Sequence, residues 1–397
     1  MSKTSIIFGN GLSRALNNEY FLLETAMSYV WDSKGCCLTS DEKDLIKSTL
    51  EDKNYPNTES DLYNIQEAIT ITEFLKKFNI DGNNLWIKET AFNSHEAFKK
   101  FIHQVAMYFN NYEMPTEKEH WGNFILSLVK FIKENGKKGY NFTGDVNIFT
   151  LNYDNLLYKS LLKKKILCGQ QNSYLIDGYS ATGFSPNMLT SNRGYYFHLH
   201  GSPYFIGNEK HKKSNTNISS DNHIVLNHFK HKENIINSSY ILSSYWKFMK
   251  SRLDLSDNII LFGYGGYDIH LNKILYQLNN YKKKNIKIVE CEKNINKISN
   301  DYKTKKTAEY FEKSEEDVRK ICTDETHEDC EKITKYYRSR EIGDDEDDEF
   351  LEYLYTSNTF KSKKEFWQGN LGSISDKDLI LIDNILCFDD WKCINEL

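Results

Sequence analysis

The chain has no long apolar run, and its mean hydropathy is −0.63. Both exclude a spanning helix, because a bilayer core needs about 20 consecutive apolar residues. The run Ile6-Ile7-Phe8 behind Met1-Ser2-Lys3 is too brief for a secretory leader, so the expected location is cytoplasmic, with no membrane partner. Proline is scarce, 4 in 397 residues, which rules out Pro-rich and collagen-like classes. Arginine is confined to Arg14, Arg193, Arg252, Arg319, Arg338 and Arg340. With a net charge of −5 and a pI near 6.2, strong direct nucleic-acid binding is not expected, since it rests on Lys and Arg neutralising phosphates. None of the 8 cysteines forms a C-x-x-C pair, so no zinc ribbon is expected and the thiols read as reduced. Cys322, His327 and Cys330 are irregularly spaced among acids and threonines and read as surface groups rather than metal ligands.

What the chain does have is core material: 39% hydrophobic residues, with 26 Tyr and 23 Phe. Five short apolar runs read as buried strands: Ser5–Phe8, Val146–Thr150, Tyr195–Leu199, Asn258–Phe262 and Ile286–Val289. Each leads into a polar or glycine turn and a helical pattern. That alternation predicts an α/β fold with a doubly wound, Rossmann-like parallel sheet, whose ligands bind beyond the strand carboxyl ends. The first two runs are separated by far more chain than one crossover needs. The intervening stretch, about residues 17–140, is helical by period: Ala97, Phe101, Val105 and Phe109 recur every fourth residue, and Phe124, Leu128 and Phe131/Ile132 repeat the pattern. Leu62, Ile65, Ile69 and Leu75 form another stripe behind a cap at Thr58 or Ser60. A large inserted helical subdomain is the expectation.

After Ile286–Val289 the composition shifts. The expected division is a nucleotide-binding domain over residues 1–293 and a charged linker with a small C-terminal appendage over 294–397. The linker carries the acidic run Asp344–Glu349, which reads as a solvated segment. Apolar character returns at Phe350–Tyr355 and Leu379–Leu386.

Four segments fall at strand ends. Gly9-Asn10-Gly11-Leu12-Ser13-Arg14 follows the first run; its glycines let backbone N–H groups approach a pyrophosphate, with contacts from Ser13 and Arg14. A tight structural turn explains this loop equally well, and the third glycine of the dehydrogenase fingerprint is replaced by Arg14. Thr150-Leu151-Asn152-Tyr153-Asp154 leaves the second run, where Asn and Asp also serve as plain helix caps. His198-Leu199-His200-Gly201-Ser202 puts His200 at the rim, while His198 lies deeper and reads as structural. Gly263-Tyr264-Gly265-Gly266-Tyr267-Asp268 is a glycine-rich exit suited to close approach of a ribose.

Taken in order, these segments resemble the sirtuin-like superfamily, whose members carry a Gly-Ala-Gly-x-Ser loop, a Gln-Asn-x-Asp segment, a His-Gly pair and a glycine-containing ribose loop. Here they stand as Gly9-Asn10-Gly11-Leu12-Ser13, Asn152-Tyr153-Asp154 with Leu151 in place of Gln, His200-Gly201 and Gly263-Tyr264-Gly265. The last loop, and the phrase Thr150–Asp154, resemble bacterial sirtuin-like NAD hydrolases of anti-phage defence, in the HerA-associated or Thoeris-like branch. The missing C-x-x-C pairs depart from the deacetylases. The resemblance implies an NAD⁺ glycohydrolase that releases nicotinamide and ADP-ribose. It implies catalytic roles for Asn152 and His200, pyrophosphate contacts from Gly9, Asn10, Gly11, Ser13 and Arg14, and carboxamide recognition by Asp154. Adenosine-ribose contacts would come from Gly263 and Gly265, and a hydroxyl contact from Glu290. It also implies control by homo-oligomerisation or by a partner such as a HerA-type ATPase or another defence protein. The alternatives are a non-catalytic NAD or ADP-ribose binding subunit and an NAD-dependent protein deacylase.

Overall fold

A computed structural model describes residues 3–32, 38–50, 54–58, 61–71 except 63, 66 and 69, 85–114, 119–136, 146–167, 173–180, 183–190, 193–203, 205–206, 212–213, 224–225, 229–291, 363–382, 384–389 and 391. Its centre is a seven-stranded, wholly parallel sheet. The strands are β1 (Thr4–Phe8), β2 (Val146–Thr150), β3 (Leu175–Ile176), β6 (Gly194–His198), β9 (Asn258–Phe262), β10 (Asn285–Cys291) and β11 (Leu379–Ile382), in the spatial order β11-β10-β9-β1-β2-β6-β3. Two small antiparallel pairs stand apart from it: β4 (Tyr179–Ser180) with β5 (Gly183–Phe184), and β7 (Phe205–Ile206) with β8 (Lys212–Lys213). All five runs read as strands in the sequence are strands here, within one or two residues at their ends.

The apolar runs are continuous because both faces of the sheet are covered. Ile6, Phe8, Ile148, Ile260 and Phe262 point to one face, against helices α1 (Gly11–Leu16), α2 (Leu23–Asp32), α4 (Leu85–Asn110), α5 (Glu119–Asn135) and α6 (Leu156–Lys163). The short helix α3 (Ser40–Lys47) packs on that layer and ties to α4 through Glu42 and Lys100 at 3.0 Å. Ile7, Phe149, Phe197, Ile259 and Leu261 point to the other face, against α8 (Tyr240–Leu255), α9 (Ile269–Asn280) and α10 (Lys363–Leu371). Helix α7 (Phe229–Ser238) precedes α8. The helical insert is thus one covering layer of a three-layer α/β body. Its expected stripe residues Ala97, Phe101, Val105, Phe109, Phe124, Leu128, Phe131 and Ile132 are all buried. So are Leu62 and Ile65 behind Thr58, whose hydroxyl accepts from the Asp61 N–H at 3.1 Å. Ser60, Ile69, Leu75, Phe350–Tyr355, the acidic run and the Cys322/His327/Cys330 group lie outside the described residues.

The described C-terminal residues join the central sheet and its two faces. β11 pairs with β10 in parallel, from Ile288↔Leu379 to Cys291↔Ile382, and becomes the seventh strand. Trp391 stacks on Phe262 with ring centroids 5.5 Å apart, which seals the insert side. Trp367 of α10 is fully buried on the opposite face. Short strands after a long charged stretch carry little period to read, so this sheet edge was not visible as a strand in the sequence.

β1 lies between β2 and β9, in register on both sides: Ile6 faces Ile148 and Ile260. The chain leaves β1 for one side of the sheet and returns on the other, so the crevice beyond its carboxyl end is a topological switch point. The exits of β9, β1, β2 and β6, the four strands at the centre of the described sheet, meet there.

Candidate functional site

The β1 exit is pinned to the β9 exit by backbone. Gly9 N–H donates to the Phe262 carbonyl at 3.0 Å, and Gly11 N–H donates to the Gly263 carbonyl at 2.8 Å. A Cβ on Gly9 would stand 2.6 Å from both Gly263 O and Tyr264 Cα; one on Gly11 would stand 2.7 Å from Gly263 O. Gly263 has φ +59°, and a Cβ there would meet Leu12 N at 2.8 Å. The three glycines therefore exist so that two loops can touch. The N–H groups of Gly9 and Gly11, expected on a pyrophosphate, are already bonded. Gly9→Ala should lower stability by about 1–3 kcal/mol, as overpacked sites do; a urea midpoint equal to wild type would show that the loops part without cost.

With the loop fixed, Ser13 enters α1 beneath the end of β2. Its hydroxyl donates to Asp154 Oδ2 at 2.6 Å, and its oxygen accepts from Asn152 Nδ2 at 2.9 Å. Because the serine proton is committed to the carboxylate, the serine oxygen is left to accept, and the Asn152 amide is held one way round. Asn152 Oδ1 then faces away, buried and with no hydrogen-bond partner among the described residues. Asn152 N–H donates to Thr150 Oγ1 at 3.1 Å, which fixes the backbone of the strand end. Asp154 spends its other oxygen on the Leu156 N–H at 3.1 Å and so starts α6. Burial pushes the Asp154 carboxyl up, against the Ser13 and Leu156 hydrogen bonds. Both Asp154 oxygens are in use, one on Ser13, which in turn holds Asn152, and one on the Leu156 N–H.

His200 follows β6, next to β2. Leu199 N–H donates to the Thr150 carbonyl at 2.8 Å, and the Leu151 carbonyl hydrogen-bonds the His200 ring. Asn152 is the next residue along from that carbonyl, so both candidate catalytic side chains belong to one rim. The His200 Nε2 is 2.8 Å from Asp268 Oδ2, and Lys232 Nζ of α7 is 3.7 Å from the same oxygen. Burial lowers the His200 pKa; the Asp268 hydrogen bond opposes this and the Lys232 charge adds to it. Asp268 is held well below the carboxylate range: burial alone would raise it, but Lys232 and His200 outweigh that. Tyr153 lies alongside, its ring 6.2 Å from His200, and its hydroxyl donates to the Val225 carbonyl at 2.5 Å.

The remaining expected residues are spread around this rim. Asn10 donates from Nδ2 to the Phe21 carbonyl at 3.0 Å and braces the turn into α2. Arg14 donates from Nε to Asn18 Oδ1 at 2.8 Å, while its buried Nη2 has no partner among the described residues. Burial lowers the Arg14 pKa, and the nearby Tyr267 opposes this. Gly265 sits against the Tyr267 ring. Glu290, expected on an adenosine hydroxyl, is occupied by α10: Oε2 pairs with Lys363 Nζ at 3.1 Å and Oε1 accepts from Trp367 Nε1–H at 3.2 Å. Burial raises its pKa, and Lys363 holds it back. His198 lies deeper, as expected, ring to ring with Tyr158 and Tyr196.

Three residues of the site have roles that no sequence signal assigns. Asp268 ends the glycine-rich phrase and reads as the cap of α9, which it is: its Oδ1 accepts from Leu271 N–H at 3.0 Å. Its second oxygen, which meets His200, cannot be inferred from that position. Lys232 sits in a polar stretch without a motif, and Tyr153, though inside the Thr150–Asp154 phrase, carries no expected role of its own.

Among the described residues no group of three His, Cys, Asp or Glu side chains is gathered as metal ligands, and no helix is long and apolar enough to cross a membrane. No curated protein matches the chain. A family model, the SIR2-like domain, matches residues 146–315, less than half of the chain. β1 and the Gly9–Arg14 loop fall outside the matched segment, separated from it by the helical insert, although they occupy the middle of the same sheet. The segment that supplies Asn152, Asp154, His200 and Asp268 is therefore similar to a SIR2-like domain, a Sir2-type unit compatible with NAD-dependent chemistry.

Proposed function

We propose that this chain hydrolyses NAD⁺ at the nicotinamide–ribose bond and releases nicotinamide and ADP-ribose. The observation that carries the proposal is the Asn152 amide. It is buried, oriented by Ser13 and Asp154, and left with an unpartnered acceptor oxygen on the rim that also holds His200. A buried acceptor without a donor costs about 1–3 kcal/mol, a cost that a ribose hydroxyl or a water molecule would relieve.

The chemistry asks little more of the protein. Nicotinamide already carries a positive charge in NAD⁺, so the C1′–N bond breaks with its electron pair returning to the ring nitrogen, and no general acid is needed. Water forms the new bond at C1′ of an oxocarbenium-like ribose. Asn152 Oδ1 accepts from the ribose hydroxyl or from that water and sets its approach. His200 takes the proton on the ring nitrogen away from Asp268, which must first release the Leu151 carbonyl; the step is typically worth about 10²–10⁴-fold, and the proton passes on to solvent. One proton is released per nicotinamide. Arg14 Nη2 is a donor available to a phosphate, while the Gly9 and Gly11 N–H groups are engaged.

In this reading the activity serves anti-phage defence by NAD⁺ depletion. The lack of C-x-x-C pairs and the Thr150–Asp154 phrase support that branch over protein deacylation. An unrestrained hydrolase of NAD⁺ would harm its host, so activity is gated by self-association or by a partner such as a HerA-type ATPase. The test is chromatography of NAD⁺ incubated with the full chain over a range of protein concentrations. Nicotinamide and ADP-ribose should appear in equal amounts, with a rate per protomer that rises with concentration. Thermal stabilisation by NAD⁺ without products would replace catalysis with simple binding.

A further inference from the structure

We propose that Asp268 is the positioning residue of His200, with the partly buried Lys232, 3.7 Å from the same carboxylate oxygen, as its paired cation. The proposal rests on the hydrolysis reading and adds two residues to its machinery. The three groups come from three elements, the end of β6, the β9–α9 loop and α7; His200 and Asp268 are buried and Lys232 is partly buried. Asp268 divides its oxygens: Oδ1 takes the Leu271 N–H and caps α9, while Oδ2 takes His200. A cap alone needs no charge, since Asn or Ser serves as well. An ionised carboxylate taken out of water costs several kcal/mol unless it is paired, so its presence here calls for a second task.

The backbone of Asp268 is also fixed. Its N–H donates to the Tyr264 hydroxyl at 3.0 Å, and that hydroxyl donates to Asn272 Oδ1 at 2.8 Å. The ionisable groups facing the His200 ring are Asp268 from the β9–α9 loop, Lys232 from α7 and the Tyr153 phenol from the β2–α6 loop. A carboxylate on one ring nitrogen sets the tautomer and the tilt of the imidazole and stabilises the imidazolium formed when the ring accepts a proton, as in hydrolytic triads; the accepting nitrogen is the other one, and it must give up the Leu151 carbonyl to act.

The experiment uses the full chain with Asp268→Asn and Lys232→Met. Asn keeps the cap, so the fold should survive. Nicotinamide release by Asp268→Asn should fall about 10²–10⁴-fold in kcat, with KM for NAD⁺ changed less than about threefold, because Asp268 does not touch the substrate. The acid limb of the kcat profile should move to lower pH in Asp268→Asn, where the carboxylate favouring imidazolium is gone. In Lys232→Met it should move to higher pH, where the opposing cation is gone. NMR titration of the His200 ring in nucleotide-free protein should show the same opposite shifts. Wild-type kcat and an unmoved limb in Asp268→Asn would overturn the proposal. If the wild type releases no nicotinamide, the hydrolysis reading fails, and the NMR shifts still decide whether Asp268 governs the ring: opposite shifts sustain it, and none refute it.

Discussion

Asn152→Ala should abolish nicotinamide release, or slow it by at least about 10²–10⁴-fold, in a protein that melts like wild type. The expectation follows from how the residue is held. Its backbone is fixed by Thr150, its amide nitrogen by Ser13, and its oxygen is the buried acceptor that no described group satisfies. Truncation removes that oxygen and also frees the Ser13 oxygen, but breaks no packing between layers, because Asn152 stands on the rim. Stability should therefore change little, while the water or ribose hydroxyl loses its guide. Ser13→Ala should show a weaker version of the same defect, since the amide could then turn. An Asn152→Ala protein with wild-type turnover would remove the residue from the chemistry, and one that fails to fold would make it structural.

Trp367→Ala should cost about 3–5 kcal/mol in urea unfolding, the usual range for truncating a buried indole. Trp367 is fully buried, donates to Glu290, and lies 5.9 Å ring to ring from Tyr264. A Cβ on Gly266 would stand 3.2 Å from its ring, so the indole closes over the β9 exit loop. Removing it leaves a cavity under that loop and leaves Glu290 with Lys363 alone. Because the same loop ends in Asp268, turnover should fall along with stability. A urea midpoint within about 0.5 kcal/mol of wild type would show that α10 does not belong to the folded body.

The sequence carried the frame well. Strands buried on both faces read as unbroken apolar runs, and helices that cover a sheet read by their fourfold spacing, as at Ala97, Phe101, Val105 and Phe109. It carried the sheet edges poorly: β3 has two residues and β11 has four, too few for a period. At the site, Asn152 and His200 were legible because they sit where strands end beside glycine or a helix start. The partners that give them direction were not. Ser13 reaches Asp154 across 141 positions, and His200 reaches Asp268 across 68; no local pattern marks such pairings. The glycines at 9, 11 and 263 were legible as positions of close approach; the contact between the two loops was not. A loop that must admit a phosphate and a loop that must admit another loop use the same residue.

Glu290 makes a related point. Its place at the end of β10 fits a nucleotide hydroxyl, yet α10 reaches it first. A segment more than 70 residues downstream decides what a strand-end carboxylate can bind, and reading the strand alone cannot supply that.

The most direct test of the account is a crystal structure of the His200→Ala protein with NAD⁺ bound, the slowed variant serving to keep the substrate whole. The account predicts the nicotinamide-side ribose in the crevice beyond β1, with a hydroxyl or an ordered water on Asn152 Oδ1, C1′ facing the space left by the imidazole, and a phosphate oxygen near Arg14. A nucleotide seated elsewhere, with Asn152 Oδ1 turned from it, would contradict the account.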